Sequence, residues 1–308
     1  MEFVEHRQVM ILGGGPAGFT AALYTARADL KPLLVTGLIL YGQASQTHCI
    51  ENYPGFPEGV GGRDLGQRLD EQAKRFGTEI IYDTVQCVDL QQQPFKVCLS
   101  STNYTADSLI ISMGADSRKL GVPGEREFTG RGVSYCATCD GAFYKDKDIH
   151  IVGGGDSAVE EALFLTRFAR SITIIHRRDQ LRAGAILENR ARSNPKIHFI
   201  WDTVVREIIG ADSVSHLKIE NVKTGQQDTI PSDGIFISIG HTPNTGVLEG
   251  QVKLTEFGTI EIDNHMETSV KGVFAAGEIA DPYFRQVVTS AGMGAAAAIS
   301  ATKYLSTL

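Results

Sequence analysis

Two thiols and a carboxyl stand together at Cys136-Ala137-Thr138-Cys139-Asp140. Cysteines at this spacing can close a small disulfide. A helix start or a cationic neighbour lowers one thiol pKa and yields a thiolate able to attack another disulfide. Asp140 adds a carboxyl suited to giving or taking the thiol proton, provided its pKa is raised. A zinc site would need two further soft ligands, and the chain has no second CxxC, so no metal is expected. Cys49, Cys87 and Cys98 lie in other parts of the chain and read as small core residues rather than redox groups. His48, beside Cys49, has no nucleophilic role to fill.

Chemistry at a disulfide needs electrons, and a repeat in the sequence indicates where they are held. VMILGGGPAGFTAALYTARA at residues 9–28 recurs as IHIVGGGDSAVEEALFLTRF at residues 149–168. Gly13, Gly14 and Gly15 fall on Gly153, Gly154 and Gly155, and Gly18 falls on Ala158. Each copy is a short apolar strand, a glycine turn and a helix-period run, followed by a second apolar strand at 33–36 or 172–176. The first glycine of such a turn permits the tight bend, and the second lets backbone approach a pyrophosphate. The third packs helix on strand, and the helix start offers free N–H groups to the anion. One such turn is weak evidence; two in register predict two nucleotide-binding folds.

The residues just after each second strand separate the ligands. A site for an unphosphorylated nicotinamide coenzyme wants an acid at that point for the ribose hydroxyls. The second copy instead reads His176-Arg177-Arg178, with Arg182 on the next turn. Guanidinium groups suit a 2′-phosphate, so NADPH is expected there, held by Gly153, Gly154, Gly155, Asp156, Ser157, His176, Arg177, Arg178 and Arg182. A disulfide does not accept hydride from a reduced nicotinamide at useful rates, whereas a flavin couples the two chemistries. The first fold is therefore expected to take FAD. In the tail, Gly277-Glu278 closes a strand where a carboxylate can meet ribityl hydroxyls, and Arg285-Gln286-Val287 leads into a terminal helix at 288–304.

The second fold reads as an insertion in the first. A strand at 108–112 runs into a polar Gly/Pro stretch, and a matching exit comes after the strand at 234–239. The strand-like segments TIEI and GVFAAG and the terminal helix carry no fingerprint of their own and are assigned back to the first fold. The expected fold class is α/β, with two nested Rossmann-like, doubly wound domains. Residues 1–115 and 246–308 form the FAD domain, and residues 116–245 form the NADPH domain carrying the CxxC. The two crossings make a double linker able to act as a hinge. The 308 residues suffice for two cores. A composition of 42% hydrophobic and 21% charged residues excludes a disordered or collagen-like chain. A formal charge of −7 argues against nucleic acid or anionic lipid as the main partner. No basic leader or membrane-length apolar run is read, and five cysteines are too few for a disulfide scaffold, so a cytoplasmic protein is expected.

CATCDG, GGGDSAVEEA, HRRDQLRA, GGGPAG, TGLILYGQ, IENYPGF and RQVVTSAG, taken in their order along nearly the whole chain, resemble the low-molecular-weight, bacterial-type thioredoxin reductases. The resemblance implies an NADPH-dependent, FAD-containing homodimer that passes electrons from NADPH through FAD and Cys136–Cys139 to thioredoxin, with a domain rotation between half-reactions. It implies FAD contacts at Gly13, Gly15, Pro16, Ala17, Gly18, Thr36, Gly42, Gln43, Asn52, Gly277, Glu278, Arg285, Gln286 and Val287. It gives Cys139 the flavin side, Cys136 the attack on the partner and Asp140 the proton, and it assigns Arg131 to docking thioredoxin. Glu278 stands where the family usually has Asp, and Tyr41 brings a bulky phenol near the flavin. A related flavin enzyme acting on small-molecule dithiols, and a flavin redox sensor without turnover, are the other readings of the same motifs.

Overall fold

The computed structural model describes residues 5–47 and 49–308; His48 lies outside them. The chain begins with β1 (Glu5–Leu12), α1 (Pro16–Arg27), β2 (Leu33–Val35), α2 (Gly62–Arg75), β3 (Glu79–Ile81), β4 (Val85–Asp89), β5 (Phe95–Leu99) and β6 (Asn103–Ile111). After β7 (Ala115–Ser117) come β8 (Val133–Ser134), α3 (Ala137–Asp140), β9 (Asp148–Gly153), α4 (Asp156–Leu165), β10 (Ser171–Ile175), α5 (Ala185–Arg192) and β11 (Ile197–Ile200). Next are β12 (Thr203–Gly210), β13 (Val214–Asn221), β14 (Gln227–Pro231) and β15 (Gly234–Ser238). The chain closes with β16 (His241–Pro243), β17 (Val273–Ala275) and α6 (Val287–Leu305).

Two units emerge, one reaching to Asp116 and resuming at Thr242, the other spanning Ser117–His241. In the first, β1 pairs in parallel with β2 and β6, β2 with β3, and β17 with β6, while β5 and β4 extend the sheet antiparallel. The last four residues of β1 are buried, as expected of a parallel strand covered on both faces. Pro16 opens α1 at a position where its missing N–H costs nothing. The small residues of α6 let it lie directly on α1: a side chain at Gly294 would strike the Ala17 carbonyl. The expected strand TIEI does not form. Ile260 makes one bridge to Leu254, and its N–H goes to Ile279, so no ladder propagates.

In the second unit, five parallel strands run in the order β11-β10-β9-β15-β8, beside a separate antiparallel sheet β12-β13-β14. β1 in the first unit and β9 in the second each have parallel neighbours on either side, so the chain reverses its winding direction there and opens a crevice at the strand's carboxyl end. The two crossings between the units pair with each other as β7 and β16. Among the described residues, no helix is long and apolar enough to cross a membrane.

His150, on β9, is 7% exposed and lies 2.8 Å through Nδ1 from Ser232 Oγ. Burial pushes its pKa down to about 4. Its neutral form therefore stabilises the fold fully above the unfolded value near 6.5, and that contribution is lost as pH falls from there through 4. Between pH 7.5 and 4 the protein is expected to lose about 3 kcal/mol more unfolding free energy than a His150→Gln variant, measured by urea denaturation.

Candidate active site

The first unit gathers its fingerprint at the carboxyl end of β1. Gly13 turns with φ 115°, and its N–H donates to Val35 O at 2.7 Å. Ser112 Oγ, at the end of β6, donates to Leu12 O and Gly13 O at 3.1 and 3.0 Å and fastens the bend. A side chain at Gly18 would enter the Gly13 carbonyl, so Gly18 is a packing glycine. Gly15 differs: it caps α1 in extended backbone, and nothing lies within 4 Å of where its Cβ would stand. That space before the first turn of α1, opened by Pro16 and Ala17, is the cradle a pyrophosphate needs.

The other expected residues ring this turn. Thr36 is buried, its hydroxyl donating to Gly37 O at 3.2 Å, and Gly37 N donates to Asp83 O at 3.0 Å. Gly42 (φ 72°) lies against Gly15, and Gln43 Nε2 donates to Asp116 Oδ1 at 2.6 Å. Asn52 Nδ2 donates to Gln286 Oε1 at 3.1 Å, and Gln286 caps α6, whose first residue is Val287. Gly277 (φ 79°) comes after β17, beside Ala17 and Ser290. Burial pushes the Glu278 carboxyl up to about 7, against the pull of Arg285. A half-buried acid next to Gly277, which packs on Ala17 at the open start of α1, fits a cofactor presenting both phosphate and hydroxyl groups. The Tyr41 ring packs on Gly66 of α2 and tilts against Phe19 of α1 at 5.9 Å. Asp281, not singled out from the sequence, accepts the N–H groups of Tyr283, Phe284 and Arg285 at 2.9–3.0 Å and shapes the approach to α6.

The second unit repeats the design. Gly153 has no room for a side chain against Ala158 and the Ser238 carbonyl, and the His176 ring lies beneath Gly154. His176 is 6% exposed, with Nε2 buried and unpartnered among the described residues, so it backs the turn from inside. Gly155 caps α4, and the nearest group to its absent Cβ is Arg182 Nη2 at 3.9 Å. Arg182 N donates to Gly154 O at 2.6 Å, and Asp156 Oδ1 accepts from Gly184 N at 2.8 Å, which ties the arginine segment to the turn. Arg177, Arg178 and Ser157 are exposed.

Cys136 and Cys139 are joined as a disulfide, with Cα atoms 5.3 Å apart. Cys136 caps the single turn α3, and the Cys139 N–H donates to its Sγ at 3.2 Å. Asp140 ends that turn. Its Oδ2 accepts from Ser134 Oγ at 2.6 Å, and burial pushes its pKa up while the serine pulls it down. Arg131 is exposed, with its guanidinium tied back to Glu127 O at 2.7 Å and Asp212 O at 3.3 Å. Two of the supposed core cysteines are misplaced in that reading: Cys87 is exposed and Cys98 half-buried, and they are bonded to each other across β4 and β5. Cys49 is free and half-buried. Among the described residues, no group of three or more His, Cys, Asp or Glu is placed to hold a metal ion.

The pyridine nucleotide-disulphide oxidoreductase family profile matches residues 7–294. The chain is 48% identical over 305 residues to a thioredoxin reductase of Streptomyces coelicolor, covering 98% of this chain and 95% of that one. It is 50% identical over 303 residues to one of Rickettsia felis, covering 97% and 98%. The crystal structure of thioredoxin reductase from Streptococcus pyogenes superposes with a TM-score of 0.94 at 45% identity, covering 98% of this chain and 99% of that one.

Proposed function

This chain belongs to the pyridine nucleotide-disulphide oxidoreductase family, and from that premise we propose that it is an NADPH-dependent thioredoxin reductase. The observation that carries the proposal is a bonded Cys136–Cys139 pair with a half-buried carboxyl of raised pKa beside it, on the unit whose open glycine turn is overlooked by an arginine. The Gly13–Gly18 turn with Thr36, Gly42, Gln43, Asn52, Glu278 and the start of α6 would hold FAD. The Gly153–Gly155 turn with Arg177, Arg178 and Arg182 would hold NADPH. Bound FAD supplies the link between two-electron hydride chemistry and thiol chemistry.

The protein's own groups then set the thiol roles. The Cys139 amide that donates to Cys136 Sγ favours negative charge on that sulfur once the bond opens. This supports Cys136 as the thiolate that attacks the partner disulfide, with Cys139 resolving it. Asp140, oriented by Ser134, holds the proton that a leaving thiolate takes up. The pair and the coenzyme turn belong to one unit, so where both need the same face of a cofactor held by the other they must take turns. The paired crossings β7 and β16 are where such a rotation would hinge. Docking of thioredoxin near Arg131, a homodimeric assembly and a cytoplasmic setting rest on the family resemblance.

The test is anaerobic titration of the FAD-loaded protein with NADPH, alone and then with a bacterial thioredoxin. Bleaching of the yellow colour followed by sustained NADPH oxidation only after thioredoxin is added is expected; bleaching without turnover overturns the assignment. Loss of a guanidinium contact to the 2′-phosphate costs about 1.5–3 kcal/mol. Arg182→Ala is therefore expected to raise KM for NADPH about 10- to 100-fold and to leave that for NADH nearly unchanged. Equal losses for both coenzymes would remove the phosphate role.

A further inference from the structure

We propose that Cys87 and Cys98 form a second thiol–disulfide exchange site, addressed from solution by a dithiol, in which the incoming thiolate attacks Cys87 and Cys98 leaves. The pair stands on the hairpin β4–β5, with Cys87 directly opposite Cys98 and Cα atoms 5.0 Å apart. Directly opposed residues share a face of the sheet. Val88 and Val97, the next opposed pair, are buried, so the cysteines occupy the outward face, beside the Asp89–Lys96 ion pair. A register irregularity between Val85 and Cys87 creates this opposition. Gln86 is left out of the pairing, and its side chain goes to Thr84 Oγ1 and Ser100 Oγ at 2.7 and 3.1 Å.

The strand order gives the two sulfurs unequal access. β4 is the edge strand and β5 lies inside it, against β6. A thiolate must approach a disulfide along the S–S axis, from the side opposite the leaving sulfur. For attack on Cys87 that side is the outer margin of the sheet. Gln251 caps this margin at Val88 O and Leu90 N, but Cys87 itself stays exposed. For attack on Cys98 the path crosses β6 over Asn103, the residue paired with Cys98 and 9% exposed. Chain order and burial thus make Cys87 the entry sulfur.

The step balances without help from the Cys136–Cys139 site. The first sulfur of the dithiol bonds to Cys87 Sγ as the Cys87–Cys98 bond breaks, and the Cys98 thiolate takes a proton from water. The second sulfur of the dithiol then displaces Cys87. The dithiol is oxidised to its cyclic disulfide, and the pair is reduced by two electrons. The reverse sequence, with a disulfide as oxidant, closes the pair again.

Two measurements test this on the full-length, FAD-loaded protein. The first is alkylation and peptide mass spectrometry after equilibration in mixtures of reduced and oxidised dithiothreitol. Cys87 and Cys98 are expected to change together, passing from under a tenth to over nine-tenths reduced across about a hundredfold change in the ratio, while the protein stays folded. The second is trapping by an aromatic disulfide. Cys98→Ser is expected to form a mixed disulfide at Cys87 at least about tenfold faster than Cys87→Ser forms one at Cys98. A pair that stays oxidised until the protein unfolds, or stays as thiols throughout, overturns the proposal on the wild-type protein alone. Equal trapping rates, or a faster rate at Cys98, overturn the assigned direction of attack.

Discussion

Gly15→Val is expected to give a protein that folds normally and comes off the column colourless. Gly15 has φ −88° and ψ −174°, extended backbone that valine adopts without strain, and no protein atom lies within 4 Å of the added Cβ. The substitution therefore costs the fold little. What it fills is the space before the free N–H groups of α1, where a phosphate must come within hydrogen-bonding distance of backbone. Retained flavin, read from the visible band against the protein band, should fall at least about tenfold even after incubation with FAD. The thermal midpoint of flavin-stripped protein should stay near that of stripped wild type. Gly18→Val is the contrast: its side chain would enter the Gly13 carbonyl and Ser112 Oγ, so it should lower the midpoint of the stripped protein itself. A Gly15→Val protein that keeps full colour would show that the cradle is not where the cofactor binds.

Asp140→Asn is expected to slow thioredoxin reduction about 100-fold or more at neutral pH without opening the disulfide or loosening either cofactor. The carboxyl sits in surroundings that favour its protonated form, with Ser134 as the opposing influence. That makes it a proton reservoir for a thiolate leaving at the adjacent sulfurs, a capacity an amide lacks. The pH profile supplies the sign. In wild type the rate should fall as pH rises through the Asp140 pKa, and this limb should vanish in the Asn variant. Ser134→Ala removes a hydrogen bond that favours the carboxylate, so it should carry the same limb to higher pH with a smaller loss of rate. An Asn variant with the wild-type profile would leave the proton to solvent.

Both glycine turns and the CxxC could be read from sequence because each demands particular residue types at fixed offsets. No other side chain tolerates the packing at Gly13, Gly18 or Gly153, and only paired thiols give a disulfide. The supports of these motifs were hidden because they come from other elements. Ser112 reaches Gly13 from β6, Asp281 organises a loop before α6, and Ser134 meets Asp140 only because β8 turns directly into α3. The Cys87–Cys98 pair was hidden for a different reason. Its opposition depends on the irregularity at Gln86, and a shift of one residue would put the two side chains on opposite faces. Tyr41 adopts φ 66°, and its ring packs on α1 and α2, a choice that the motif around it does not encode.

The pairing of β17 with β6 has a consequence for biogenesis. Ribosomes release Ser117–His241 before they make β17 and α6, so the interior unit is contiguous and complete while the outer sheet still lacks a strand and the helix that covers α1. Maturation thus runs from the middle outward, and the site proposed for the flavin is complete only once β17 and the start of α6 have been made and have joined β6 and α1.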